Sequence, residues 1–129
     1  MEQDLLMQLN QRYQESRQLE EQLEFIEQQM SELQMFSKSV EEIGKSSEKE
    51  ILSSIGKGLF VKCEMKEKEF FVDVGAGVVV KKSPDDAIGI IEQQISRLGE
   101  IRYQINDNLN GLSSEFQELI KKLEQVKKE

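Results

Sequence analysis

From Ile88 to Val126 an apolar side chain returns at alternating steps of three and four residues, through Ile91, Ile95, Leu98, Ile105, Leu109, Leu112, Phe116, Leu119 and Leu123. Arg102 is the one polar member of the series. An average step of 3.5 residues is the repeat of a left-handed coiled coil, and so narrow a stripe serves a partner helix rather than a globular interior. The other end of the chain carries the same spacing through Leu5, Leu9, Leu19, Leu23, Ile26, Met30 and Leu33, with Arg12 and Ser16 interrupting it. Both ends are therefore committed to long helices, and only the middle is left to fold otherwise.

The first helix is expected over 1–43, where neither proline nor glycine intervenes and Glu, Gln and Leu dominate. Near its end Phe36, Val40 and Ile43 continue the stripe three residues after Leu33, where strict phase would use Ser37, so a local phase adjustment is expected. Gly44 is placed to close the helix in the left-handed conformation. The second helix, 84–128, has a strong start: Ser83 as cap, Pro84 at the first helical position, and Asp86 three residues after the cap. Gly99 and Gly111 interrupt it, each costing about 1 kcal/mol relative to alanine.

Helices of this length span roughly 65 Å each and, joined through one central region, must run antiparallel with both chain ends at a common tip. Facing Ile43 with Ala87 makes opposed residue numbers sum to about 130, which brings Arg12 near Glu118 and Arg102 near Glu27. Each arginine is then expected at the seam edge beside that acid, setting register at little gain in stability.

The central stretch, 51–82, reads as four short strands. Runs of alternating side chains end at Gly56-Lys57-Gly58, at Lys66-Glu67-Lys68 and at Gly75-Ala76-Gly77. Leu59, Val61, Cys63 and Met65 oppose Phe60, Lys62 and Glu64, while Phe70, Val72 and Val74 oppose Phe71 and Asp73. The fold class is α+β: a long antiparallel two-helix coiled-coil hairpin joined by a small four-stranded β region, within one domain of 1–129.

Composition narrows the function. A net charge of −8 and a pI near 4.8 argue against nucleic acid as a partner. No apolar run reaches the length of a bilayer span and the N-terminus does not resemble a signal peptide, so no membrane role and a cytoplasmic location are expected. There is no histidine, and Cys63 is the single cysteine, read as a small core residue. Catalytic residues, metal ligands and cofactors are all expected to be none. Gly75-x-Gly77 lacks the following helix that a nucleotide loop requires, and reads as a hairpin turn.

Four strands at one end of a helical pair leave open edges and an apolar face that water does not tolerate, and no helix remains to cover them. Strand pairing with other subunits into a closed, barrel-like body resolves both problems. The candidate assembly residues are Ile51, Ile55, Leu59, Val61 and Cys63 in the first half, and Phe70, Val72, Val74, Val78 and Val80 in the second.

The run Ile55-Gly56-Lys57-Gly58-Leu59-Phe60-Val61-Lys62, then Val72 to Lys82 with its Gly75-Ala76-Gly77, then Ala87, resembles the archaeal prefoldin alpha-subunit family, and the resemblance covers essentially the whole chain. Ser54 departs from it, standing where the family often has proline. The resemblance implies an ATP-independent cochaperone: a hexamer of two alpha and four beta subunits, so a second alpha subunit and the beta subunits are partners. It further implies that coiled-coil tips hold unfolded client proteins and deliver them to a group II chaperonin.

On that reading the tip should carry more apolar side chains than its own seam can use. Leu6, Met7, Tyr13 and Ile120 lie off the ladder there, beside Leu5, Leu9, Phe116, Leu119, Leu123 and Val126 on it, and these ten are the candidate client-binding residues. Lys121, Lys122, Lys127 and Lys128 form a basic end, suited to a helix C-terminus and a candidate for docking to an acidic chaperonin surface. The alternative is a structural coiled-coil scaffold or tether without chaperone activity.

Overall fold

The computed structural model describes residues 1–128. In chain order the elements are α1 (Glu2–Lys45), β1 (Glu50–Gly56), β2 (Leu59–Glu64), β3 (Phe70–Gly75), β4 (Val78–Lys82) and α2 (Pro84–Lys128). They divide into two units: Met1–Ser31 with the chain from Ser96 onward, and Glu32–Ile95.

The first unit is a helical pair. Along α1 the half-buried or buried positions are Leu5, Leu9, Arg12, Ser16, Leu19, Leu23, Ile26 and Met30, an unbroken alternation of four and three that includes the two polar residues. Along α2 the matching series is Leu98, Ile105, Leu109, Leu112, Phe116, Leu119, Leu123 and Val126. Ile26, Met30, Ile105 and Leu119 form the buried core of this unit. The helices run antiparallel, with Arg12 beside Glu115 and Gly99 beside Met30, so that opposed numbers sum to 127 and 129. The expected partner of Arg12, Glu118, is thus replaced by the acid one turn earlier. Arg102 is exposed and forms no ion pair among the described residues, so its expected approach to Glu27 does not occur.

The second unit holds the strands and the helix ends that flank them. Here α1 keeps strict phase: Leu33, Ser37 and Val40 are half-buried while Phe36 is 57% exposed. The expected phase adjustment is absent. In the same unit α2 carries Ile88, Ile90 and Ile91 half-buried.

Gly44 also departs from expectation. It lies within α1 and does not adopt a positive φ. A Cβ at Gly44 would stand 3.0 Å from the Pro84 Cβ, so the glycine permits close approach of the two chain segments rather than a left-handed turn. The helix instead ends on polar caps. The Lys68 ammonium donates to the Gly44 carbonyl at 3.1 Å and to the Ser46 carbonyl, and the Glu48 amide donates to the Ser46 hydroxyl at 3.1 Å. At the start of α2 the Asp86 amide donates to the Ser83 Oγ at 3.2 Å, as its sequence foretells.

The strands form two separate antiparallel sheets of two strands each, β1 with β2 and β3 with β4, not one four-stranded sheet. Each pair closes through two residues, Lys57-Gly58 and Ala76-Gly77, all with positive φ, which is the signature of the type I′ turn favoured by the right-handed twist of hairpins. A register shift precedes each turn, between Ser54 and Gly56 and between Asp73 and Gly75, and the Asp73 carboxylate accepts a hydrogen bond from the Gly75 amide. Cross-strand partners Ile51 and Cys63, and Val72 and Val80, share the half-buried faces.

Candidate functional site

Two surfaces stand out, and both are apolar. The first is the free end of the helical pair, residues 1–20 of α1 and 109–128 of α2. Of the ten candidate client-binding residues, Leu119 is buried and Leu5, Leu9, Phe116, Leu123 and Val126 are half-buried, so most of their surface is taken up by the helices' own seam. Leu6, Met7, Tyr13 and Ile120 are exposed, Met7 to 69% and Tyr13 to 49%. Exposed apolar groups at a helix end supply non-directional attraction, and methionine adapts to irregular partners.

The polar interruption of the seam has a consequence that the sequence did not announce. Arg12 Nε forms an ion pair with Glu115 Oε2 at 2.7 Å and Nη1 donates to Glu15 Oε1 at 3.2 Å, which draws the side chain toward one flank. Ser16, the next seam residue, is too short to fill the space between the helices. A groove of about 380 Å³ results, with Leu109, Leu112 and Phe116 as its apolar lining and Arg12, Ser16, Ser113 and Gln117 among its polar groups. Two successive undersized or charged seam positions are the signal from which it could have been found.

The four candidate docking lysines, Lys121, Lys122, Lys127 and Lys128, are all exposed, and the last two occupy the final turn of α2, where a cation suits the helix dipole.

The second surface is the pair of hairpins. Of the candidate assembly residues, Ile51, Cys63, Phe70, Val72 and Val80 are half-buried, while Ile55, Leu59, Val61, Val74 and Val78 are exposed. Alternation predicts apolar side chains on one face only. Leu52, Phe60, Phe71 and Val79 are also exposed, Phe60 to 60% and Phe71 to 66%, so both faces of the hairpins are apolar. The signal lay in the adjacent pairs Leu59-Phe60, Phe70-Phe71 and Val78-Val79, which break alternation. Toward solvent, Lys81 lies 5.8 Å from the Phe71 ring centre and 3.7 Å from the Glu69 carboxylate, and Lys62 lies 3.9 Å from Glu50.

No group of three or more potential metal ligands occurs among the described residues, and no described helix is long and apolar enough to cross a membrane.

Comparison with known proteins agrees with this architecture. Residues 12–129 match the family model described as prefoldin subunit. Prefoldin subunit alpha of Methanoculleus marisnigri is 26% identical over 123 residues, covering 95% of this chain and 83% of that protein. The alpha subunit of Pyrococcus horikoshii is 30% identical over 111 residues, covering 84% and 75% respectively, and that of Methanococcus maripaludis is 33% identical over 92 residues, covering 70% and 62%. In fold, the chain is similar to a subunit in the cryo-EM structure of filamentous prefoldin from Methanocaldococcus jannaschii, with a TM-score of 0.76 at 16% identity over 93% of this chain and 98% of that one. A coiled helical pair joined through two I′ hairpins, matched along nearly its full length by alpha subunits, leaves one assignment: the chain belongs to the prefoldin family, on its alpha-subunit branch.

Proposed function

We propose that this chain is a subunit of an ATP-independent chaperone complex that holds non-native proteins at its helical tips and passes them to a group II chaperonin. The observation that carries the reading is the surplus of exposed apolar side chains, Leu6, Met7, Tyr13 and Ile120, at the free end of the helical pair. A tether joining folded partners has no use for such a surplus, which invites non-specific association.

The hairpins serve assembly. Exposed apolar residues on both faces and unpaired strand edges favour pairing with strands of neighbouring subunits into a closed β body, with a second alpha subunit and beta subunits as the neighbours. The basic end of α2 supports electrostatic docking to an acidic chaperonin surface, a contact that added salt should weaken.

The test uses the complex that co-purifies with this chain. A denatured test protein is diluted with and without it, and light scattering reports aggregation. Replacing Leu5, Leu6, Met7 and Ile120 with serine is expected to reduce suppression several-fold while native mass measurement shows an unchanged assembly. Unchanged suppression would refute the assignment of holding to the tip, and no suppression by the wild-type complex would favour the tether.

A further inference from the structure

The groove beside Arg12 and Ser16 opens on one flank of the helical pair only. Tyr13 and Glu20 of α1, seven residues apart, and Ser113 of α2 all line it. In a 3.5-residue repeat a step of seven returns to the same flank. Leu6 lies seven residues before Tyr13, and Ile120 seven after Ser113, so both exposed side chains fall on the groove's flank. The opposite flank carries a separate hollow bordered by Glu15, Asp107, Asn108 and Glu115. Steps of seven from Glu15 and Glu115 toward the tip reach Gln8 and Lys122. Between residues 6 and 13 of α1 and at Ile120 of α2 the groove's flank is thus apolar where the other is polar, and one further step of seven ends each pattern, at Lys127 and at Met1.

Leu6, Ile120, Tyr13 and the groove lie in a row from residue 6 to residue 20 of α1, a distance of about 21 Å at 1.5 Å per residue. An extended chain covers it in about six residues. We infer that this row binds an extended segment of non-native polypeptide about six residues long, with a bulky aromatic or branched side chain seated in the groove against Phe116 and Leu112. The inference rests on the client-holding reading above and adds to it a face, a length and a residue class. An unfolded segment also brings unpaired backbone groups, and Arg12, Ser16, Ser113 and Gln117 at the groove offer donors and acceptors to meet them.

Area decides against a second copy of the chain as occupant. Leu6, Tyr13 and Ile120 are 48%, 49% and 37% exposed, so at roughly 150 Å² for a whole large side chain they and the groove floor offer only about 300 Å², well below the roughly 800 Å² per partner of a stable interface. The next positions on the flank, Glu20 and Glu27 on α1 and Asn106 on α2, end the apolar row. A surface this small suits a ligand that must leave again.

The experiment places a photo-crosslinking phenylalanine analogue at Tyr13 or, on the opposite flank, at Gln8, in the complex assembled with its co-purifying subunits. The probe is reduced, carboxymethylated α-lactalbumin, a permanently unfolded chain. Crosslinking at least fivefold stronger from Tyr13 than from Gln8 is expected. Equal crosslinking from both overturns the one-flank inference while leaving the holding reading intact, whereas a wild-type complex that holds no α-lactalbumin removes that reading itself. A second variant, Ser16→Leu, fills the groove with a better seam residue. It should raise the melting temperature yet weaken binding of the same probe several-fold; unchanged binding in a stabilised protein would overturn the groove's role.

Discussion

The helical pair and the two hairpins solve the burial problem in opposite ways. In the helical pair each apolar seam residue finds cover from the other helix of the same chain, and Ile26, Met30, Ile105 and Leu119 are buried without help. In the hairpins the apolar residues are as dense, yet Phe60, Phe71, Leu52 and Val79 stand exposed and no strand has more than one neighbour. The difference teaches that apolar residues close a fold in one region and stay uncovered in the other, where the proposed assembly would cover them. Only the first can be measured on the chain alone.

The contrast can be broken most directly at the hairpins. Phe60→Asp combined with Phe71→Asp should abolish assembly, read by native mass measurement, while far-ultraviolet circular dichroism stays strongly helical; a complex that still forms would remove the hairpins from the interface. Next in size is a seam substitution. Leu119→Ala should destabilise by about 2 kcal/mol, at the lower end for a buried leucine because the seam is only one layer deep, visible in denaturant titration. Tyr13→Ala, on the surface of the same unit, should leave that titration unchanged within about 0.5 kcal/mol.

Smaller effects sharpen the picture. Gly111 lies in the middle of α2 with open space where its side chain would be, so Gly111→Ala should stabilise by about 0.5–1 kcal/mol. Arg12→Ala removes a pair whose side chains are 33% and 55% exposed, and should cost less than about 0.5 kcal/mol in denaturant titration, a difference that vanishes in high salt.

The smallest effect sits at the end of α1. A hydrogen bond from Lys45 at 2.7 Å and, after it, the lysine's charge hold the Glu41 carboxyl below its ordinary value, and the same hydrogen bond and charge raise Lys45. The pair's contribution is therefore present above the ordinary glutamate pKa and lost as pH falls through the lowered one. Amide exchange in the last turn of α1 should quicken across that acidic window, and Glu41→Gln should erase the step.

Which parts of this could be read from residues alone follows from how local each determinant is. The repeat through Ile88 and Val126, the Ser83-Pro84 start and the Gly-x-Gly turns depend on neighbours in the chain, and helices, cap and hairpins stand where those signals put them. Gly44 reads locally as a left-handed helix end, whereas it serves the approach of Pro84, forty residues away. Phe36 was drawn into the seam by its size, although phase and not size decides which residue faces inward. The register lies close to the expected one, with opposed numbers summing to 127 and 129 against about 130, and only the acid that meets Arg12 moved by a turn, because side-chain reach and not register selects it. The groove required the Arg12 side chain's actual direction, which two acids on different helices determine.

Two separate two-stranded sheets have a consequence for how many neighbours a subunit can have. Each hairpin offers its own free strand edges, and nothing in the hydrogen bonding of one is spent on the other. If each hairpin makes one joint, as proposed above, the chain has in the language of polymers a valence of two. A bivalent unit joins others into a closed ring or an open chain, depending on the angle between successive joints. Five residues link β2 to β3, and Lys68 among them donates to the Gly44 and Ser46 carbonyls at the end of α1. Lengthening this short segment should, on that reading, alter the number of subunits seen by native mass measurement without touching any apolar surface.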